Sequence, residues 1–113
     1  GVICLSVWQQ GVFMQFIVTA YDFDDDDAIN RRLSSREAHL SGIEKMVKAG
    51  TFLSGGAMLN ENGKMIGSSA HVEFSSRTEV EAWVKQDPYT IGKVWNKVNI
   101  SEGVLFPVSS FKK

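Results

Sequence analysis

The stretch Ala28 to Ala49 limits the fold more than any other part of the chain. Within it, Ile29, Leu33, Leu40, Ile43 and Val47 recur at spacings of three, four and seven. At about 100° per residue these positions form one apolar stripe, which predicts a long amphipathic helix. Asp27 stands where a carboxylate caps a helix and meets the positive end of its dipole. Gly50 supplies the C-terminal stop. A stripe of that length needs a second layer to pack against, and the flanking segments have the pattern of strands.

Met14 to Tyr21 is rich in β-branched and aromatic residues and predicts a strand, central in its sheet. The acidic run Asp22 to Asp27 ends that strand as a solvated turn, since it lacks the alternating ligands, glycine and distal Glu of a calcium loop. Beyond the long helix, Thr51–Leu59 and Met65–Phe74 form two strands joined by Asn60 to Lys64. Asn62-Gly63 is hairpin chemistry, because both residues tolerate positive φ. Ser76 with Glu79 three residues later is a capping box, opening a second helix that runs to about Lys85. Asp87-Pro88-Tyr89 closes it. Thr90–Asn96 predicts one or two further helical turns, and Val98–Val108 a last strand, with Gly103 and Pro107 marking a bulge or an edge. The order β-α-β-β-α-β predicts an α+β, ferredoxin-like fold: an antiparallel sheet with both helices on one face. Phe16, Val18, Phe52, Val72, Phe74 and Leu105 are too many apolar side chains for one helical layer to hide. Packing of the open sheet faces of two copies, a homodimer, is therefore expected.

Composition narrows the classes of partner. Twelve basic residues stand against thirteen acidic ones, a formal charge of -1, so no basic excess draws the chain to nucleic acid. The longest apolar runs fall far short of the roughly 20 residues that span a bilayer, so no membrane is expected. One cysteine, Cys4, can neither staple a small fold nor build a multi-thiolate metal site. Gly1 to Phe13 carries no charge and lacks the basic start and small-residue cleavage site of a signal peptide. It is read as a non-functional N-terminal extension, with the domain running from 14 to 110 and a cytoplasmic location expected.

Few residues are suited to chemistry. Arg36 falls near the middle of the apolar stripe, where a guanidinium must snorkel, pair with a carboxylate or face a ligand cavity. His39 lies about 60° further round, beside Arg32, at the border of the buried face. There an imidazole is both accessible and oriented, and histidine titrates near neutral pH without help. His71 sits mid-strand with Glu73, opposite Val72, and reads as a surface or cross-strand residue. Two histidines so far apart suggest no metal site. Asp87 either initiates a turn before Pro88 or reaches back to accept the Nδ1 proton of His39. Ser54-Gly55-Gly56 allows a ligand to approach backbone closely, but it is no phosphate loop. With no Gly-x-Ser-x-Gly elbow and no activated cysteine, acid/base chemistry is left open and nucleophilic catalysis is disfavoured.

Arg32-Leu33-Ser34-Ser35-Arg36-Glu37-Ala38-His39-Leu40, Gly50, Leu53-Ser54-Gly55-Gly56, Ala82-Trp83 and Asp87-Pro88-Tyr89 together resemble the YciI-like (YCII-related) family over about Met14 to Val108. Two departures are visible: Gly56-Ala57 stands where the family has Gly-Pro, and the Asp22–Asp27 loop is longer and more acidic. The resemblance implies the dimeric α+β barrel superfamily, which includes muconolactone isomerases and small monooxygenases. It also implies a His–Asp acid/base pair at His39 and Asp87, and a cavity-lining arginine at Arg36.

The expected function is thus a cofactor-independent lyase or isomerase acting on a small cyclic or unsaturated organic acid or phenol. His39 would move the proton, Asp87 would orient the imidazole, and Arg36 would hold an anionic oxygen, with Ser54, Gly55 and Tyr89 completing the substrate site. The alternative is a non-catalytic dimeric module binding a small ligand, in which the pair is a satisfied polar contact. A cofactor-free monooxygenase is a third class, which nothing in the residues favours.

Overall fold

The computed structural model describes residues 13–111, so all but Phe13 of the expected N-terminal extension, Cys4 included, lies outside the described residues. β1 (Met14–Asp22) is flanked by β3 (Met65–Phe74) and β4 (Trp95–Gly103), and β2 (Phe52–Leu59) completes the sheet beyond β3. All three pairings are antiparallel, in the order β2-β3-β1-β4. α1 (Ala28–Ala49) and α2 (Arg77–Gln86) cover one face, with a single turn, α3 (Pro88–Ile91), before β4. This is the α+β ferredoxin-like arrangement. Within one chain the sheet stays open, with β2 and β4 as its edges.

Strand alternation decides the core. Phe16, Val18 and Ala20 of β1 face the helices with Ala70 and Val72 of β3, and Val80 and Val84 of α2 close over them with Tyr89, Val94 and Trp95. Most of the residues expected to overload the open face are therefore on the covered one: Phe16 and Val72 are fully buried, and Phe52 and Phe74 pack against the same core, while Leu105 lies beside Gln15, His71 and Glu73 on the other side. The uncovered face instead shows Gln15, Ile17, Tyr21, His71 and Glu73, a mixed surface of half-exposed apolar and polar groups.

α1 has the expected bounds but presents a different side. Its buried residues are Ala28 and Arg32, whereas Leu33, Leu40 and Val47 of the apolar stripe are 53%, 43% and 54% exposed. The inward face is rotated from the stripe by roughly 80°, counted at 100° per residue. The acidic turn is corrected too. Asp22 is the last residue of β1 and its side chain is buried against Arg32. Asp25 takes a two-pronged contact from Arg31 at 2.7 and 2.8 Å, and that guanidinium holds its carboxyl at about 2.

Three local details differ from expectation. In the hairpin only Gly63 has positive φ, and the Asn60 side chain ties the loop by accepting from the backbone N–H of Asn62 and Lys64. Glu79 bonds Ser75 rather than returning to Ser76, so the capping box is slipped by one residue at that arm. β4 starts at Trp95 and ends at Gly103; Leu105 leaves the ladder to donate its N–H to the Gln15 side chain.

Gly50 ends α1 at φ 84°, and Thr51 N–H reaches back to Met46 O at 2.9 Å, closing a Schellman motif. A side chain in that left-handed conformation costs about 1–2 kcal/mol. Gly50→Ala is expected to lower unfolding stability by that amount in urea titrations, while Gly42→Ala, in open space within α1, is expected to raise it by about 1 kcal/mol.

Candidate active site

The covered side of the sheet is not fully filled. Between α1 and the β2–β3 edge lies a cavity of about 230 Å³. A cavity of roughly 150 Å³ takes a benzene ring, so there is room for one substituted ring. The floor is backbone: a Cβ on Gly55 would lie 2.6 Å from both the Phe52 ring and Ser69 O, so only glycine fits there. Trp83, Tyr89 and Trp95 supply the aromatic wall.

One helix face supplies the polar wall. Arg32, Arg36 and His39 are spaced four and three apart on α1, so they stack over the same side. His39 Nδ1 lies 2.7 Å from Asp87 Oδ1, with the two side chains 12% and 3% exposed. The same oxygen accepts the Tyr89 N–H at 2.8 Å, capping α3. Both readings of Asp87, turn initiator and histidine partner, thus hold at one atom. Because that oxygen accepts, His39 donates Nδ1–H, and Nε2 is left as the basic nitrogen on a ring that lines the cavity.

Tyr89 sits between the two ends of this row. The His39 ring stacks on it at 3.9 Å and 13°, and the Arg32 guanidinium lies 4.7 Å from its centroid. Seven residues of helix separate His39 from Arg32 by about 10 Å, so the tyrosine ring fills the gap between them. Burial pushes the Tyr89 phenol up, partly offset by the charges of Arg32 and Arg36. It stays protonated at neutral pH, able to donate.

Arg32 is the residue that sequence reasoning passed over. It is 3% exposed, and its Nη1 pairs with both Asp22 oxygens at 2.9 and 2.7 Å. Nη2 donates to Gly67 O and to Ser68 Oγ. Burial pushes the Asp22 carboxyl up, against the pull of Arg32. The available signal was the seven-residue spacing from His39. Trp83 stands in the Ala82-Trp83 motif of the family resemblance, whereas Ser68 and Trp95 left no sequence signal of their own.

The expected site residues divide. His39, Tyr89, Arg36 and Gly55 line this cavity, and Asp87 stands behind it, in contact with His39. Arg36, expected mid-stripe, is exposed along the rim. Ser54 is not part of it: a register shift after Phe52 turns it to the other side of the sheet, where its Oγ lies 3.0 Å from His71 Nδ1.

A fold of this order with a polar row beside a ring-sized cavity defines a small α+β ferredoxin-like domain, and sequence comparison places it more closely. Residues 14–103 match the model of the YCII-related domain, and the chain belongs to that family. Protein YciI of Escherichia coli O6:H1 (strain CFT073) is 33% identical over 86 residues, covering 71% of this chain and 88% of that protein. Protein YciI of Shigella flexneri matches to the same extent. A solved structure, 5-chloro-2-hydroxyhydroquinone dehydrochlorinase from Burkholderia phenoliruptrix AC1100 in complex with 2,5-dihydroxybenzoquinone, shares the fold at TM-score 0.67 and 24% identity, covering 78% of this chain and 91% of that one. No helix among the described residues is long and apolar enough to cross a membrane.

Arg32→Met is expected to cost about 3–5 kcal/mol in denaturant unfolding, because it strands the buried Asp22 carboxylate. Adding Asp22→Leu is expected to recover most of that loss, giving a large coupling term in the double-mutant cycle.

Proposed function

We propose that this protein is an acid/base enzyme of the lyase or isomerase type, acting on a small cyclic or unsaturated organic acid or phenol. The observation that carries this reading is the 2.7 Å His39–Asp87 contact on the wall of a ring-sized cavity. His39 Nε2 takes the proton, Asp87 holds the ring and stabilises the imidazolium, and Arg36 meets an anionic oxygen entering from the rim. Tyr89 donates from the wall, and the Gly55 backbone lets the ring lie flat against β2. The dehydrochlorinase supports the substrate class: loss of a proton and chloride from a polyhydroxylated ring is an elimination of the kind a histidine base begins. The reading places the enzyme in the cytoplasm, in keeping with the lone cysteine.

The test is deuterium incorporation from D₂O, or chloride release, over a panel of phenols, chlorinated hydroxyhydroquinones and unsaturated cyclic acids. Turnover by the wild-type chain is expected to fall about 10²- to 10⁴-fold in His39→Ala. Asp87→Asn is expected to fall in the same direction. Unchanged turnover in both variants would sink the dyad; saturable binding without turnover of any panel member would favour the ligand-binding module.

The same reading includes a homodimer across the uncovered sheet face. Ile17 and Tyr21 there are 36% and 49% exposed, and Leu53 on the flank is 45% exposed. Sedimentation velocity is expected to give a dimer, and Ile17→Lys with Tyr21→Lys a monomer. A wild-type monomer at high concentration rules the dimer out.

A further inference from the structure

Ser68 of β3 sits at the inner end of the cavity in an unusual position for a hydroxyl. Its Oγ accepts from Arg32 Nη2 at 2.9 Å and from Trp95 Nε1 at 3.1 Å. A hydroxyl has two lone pairs and one proton, while guanidinium and indole N–H groups only donate. Both acceptor positions are therefore taken, and neither neighbour can receive the serine proton. Among the described residues Ser68 Oγ donates to no protein acceptor, and the residue lines the cavity. Beside it, Arg32 Nε is buried and has no partner among the described residues. A cationic donor on the oxygen also polarises the O–H bond and strengthens it as a donor.

We propose that Ser68 is a specificity-determining residue whose hydroxyl donates a hydrogen bond to an acceptor oxygen of the bound ring, a phenolate or a ring carbonyl. This rests on the acid/base reading of the cavity and adds to it the ligand's second functional group. His39 meets the acidic position and Ser68 the oxygen that takes up charge when the proton leaves. An ammonium group placed at the same point, with protons and no lone pair, would meet the outward-turned proton of Ser68 and be rejected. Arg32 and Trp95 act on the ligand through Ser68: by filling its lone pairs they set the direction of its one proton. The Asp22–Arg32 pair thus has a purpose beyond neutralising charge under α1.

The experiment compares two probes of equal ring size, 4-nitrophenolate and nitrobenzene, which differ by the phenolate oxygen. Binding is followed by quenching of Trp83 and Trp95 fluorescence, and for the phenolate also by the shift of its absorption band. Wild type is expected to favour the phenolate about tenfold or more, the range of a hydrogen bond to a charged oxygen. Ser68→Ala is expected to lose that preference and the band shift while still binding nitrobenzene. Ser68→Thr, which keeps the hydroxyl, is expected to retain both. Should alanine not fold, having left Arg32 and Trp95 without their acceptor, Ser68→Cys of nearly the same shape takes its place with the same expectation. A preference equal to wild type in the alanine or cysteine variant overturns the assignment. Equal or absent binding of the two probes to wild type overturns it as well. Neither result touches the His39 reading, which is judged by proton exchange in His39→Ala.

Discussion

Two buried carboxylates, Asp22 at the end of β1 and Asp87 between α2 and α3, decide which way α1 turns. Each must find a partner or cost several kcal/mol, and among the described residues the side chains that reach them are both on α1, Arg32 and His39. Full burial of a leucine or valine is worth about 1.5–3 kcal/mol, and Leu33, Leu40 and Val47 keep roughly half of theirs where they lie. The electrostatic demand is the larger. The helix therefore rolls its polar row inward and leaves part of its apolar stripe at the rim.

That roll makes the cavity. Arg32, Arg36 and His39 line it with polar groups, and Tyr89 wedges between the first and the last of them. The room left over is closed by Trp83, Trp95 and the bare backbone of Gly55. Asp87 does two things with one oxygen, capping α3 and holding His39, so the turn that ends α2 and the imidazole that faces the cavity are mechanically one unit. Fold and site cannot be altered separately there.

Much of the frame was readable in the chain. The bounds of α1 and β3 matched, because Gly50, Asn60 to Gly63 and Ser76 are strong local punctuation. The approach of His39 to Asp87 was legible as a possibility, since histidine on a helix border and Asp before Pro each carry a recognisable signal. The face assignments were less so. Ser54 adjoins Gly55 in the sequence, yet one irregularity in the β2–β3 ladder turns it away from the cavity. The expected overload of the open face failed because Phe16, Val18 and Val72 share one parity across neighbouring strands, a matter of register rather than composition.

What the amino-acid order determined by itself was where α1 and β3 begin and stop, the β-α-β-β-α-β succession, and the presence of one titratable ring on the long helix. Those follow from short-range rules: periodicity, capping and turn chemistry act within a few residues. Only the tertiary structure decided that Arg32 rather than a leucine is buried, that Asp22 is its partner, and that Ser68 and Trp95 complete the cavity end. Those outcomes depend on desolvation of charges brought together from distant segments, and no local pattern states which carboxylate will be taken out of water.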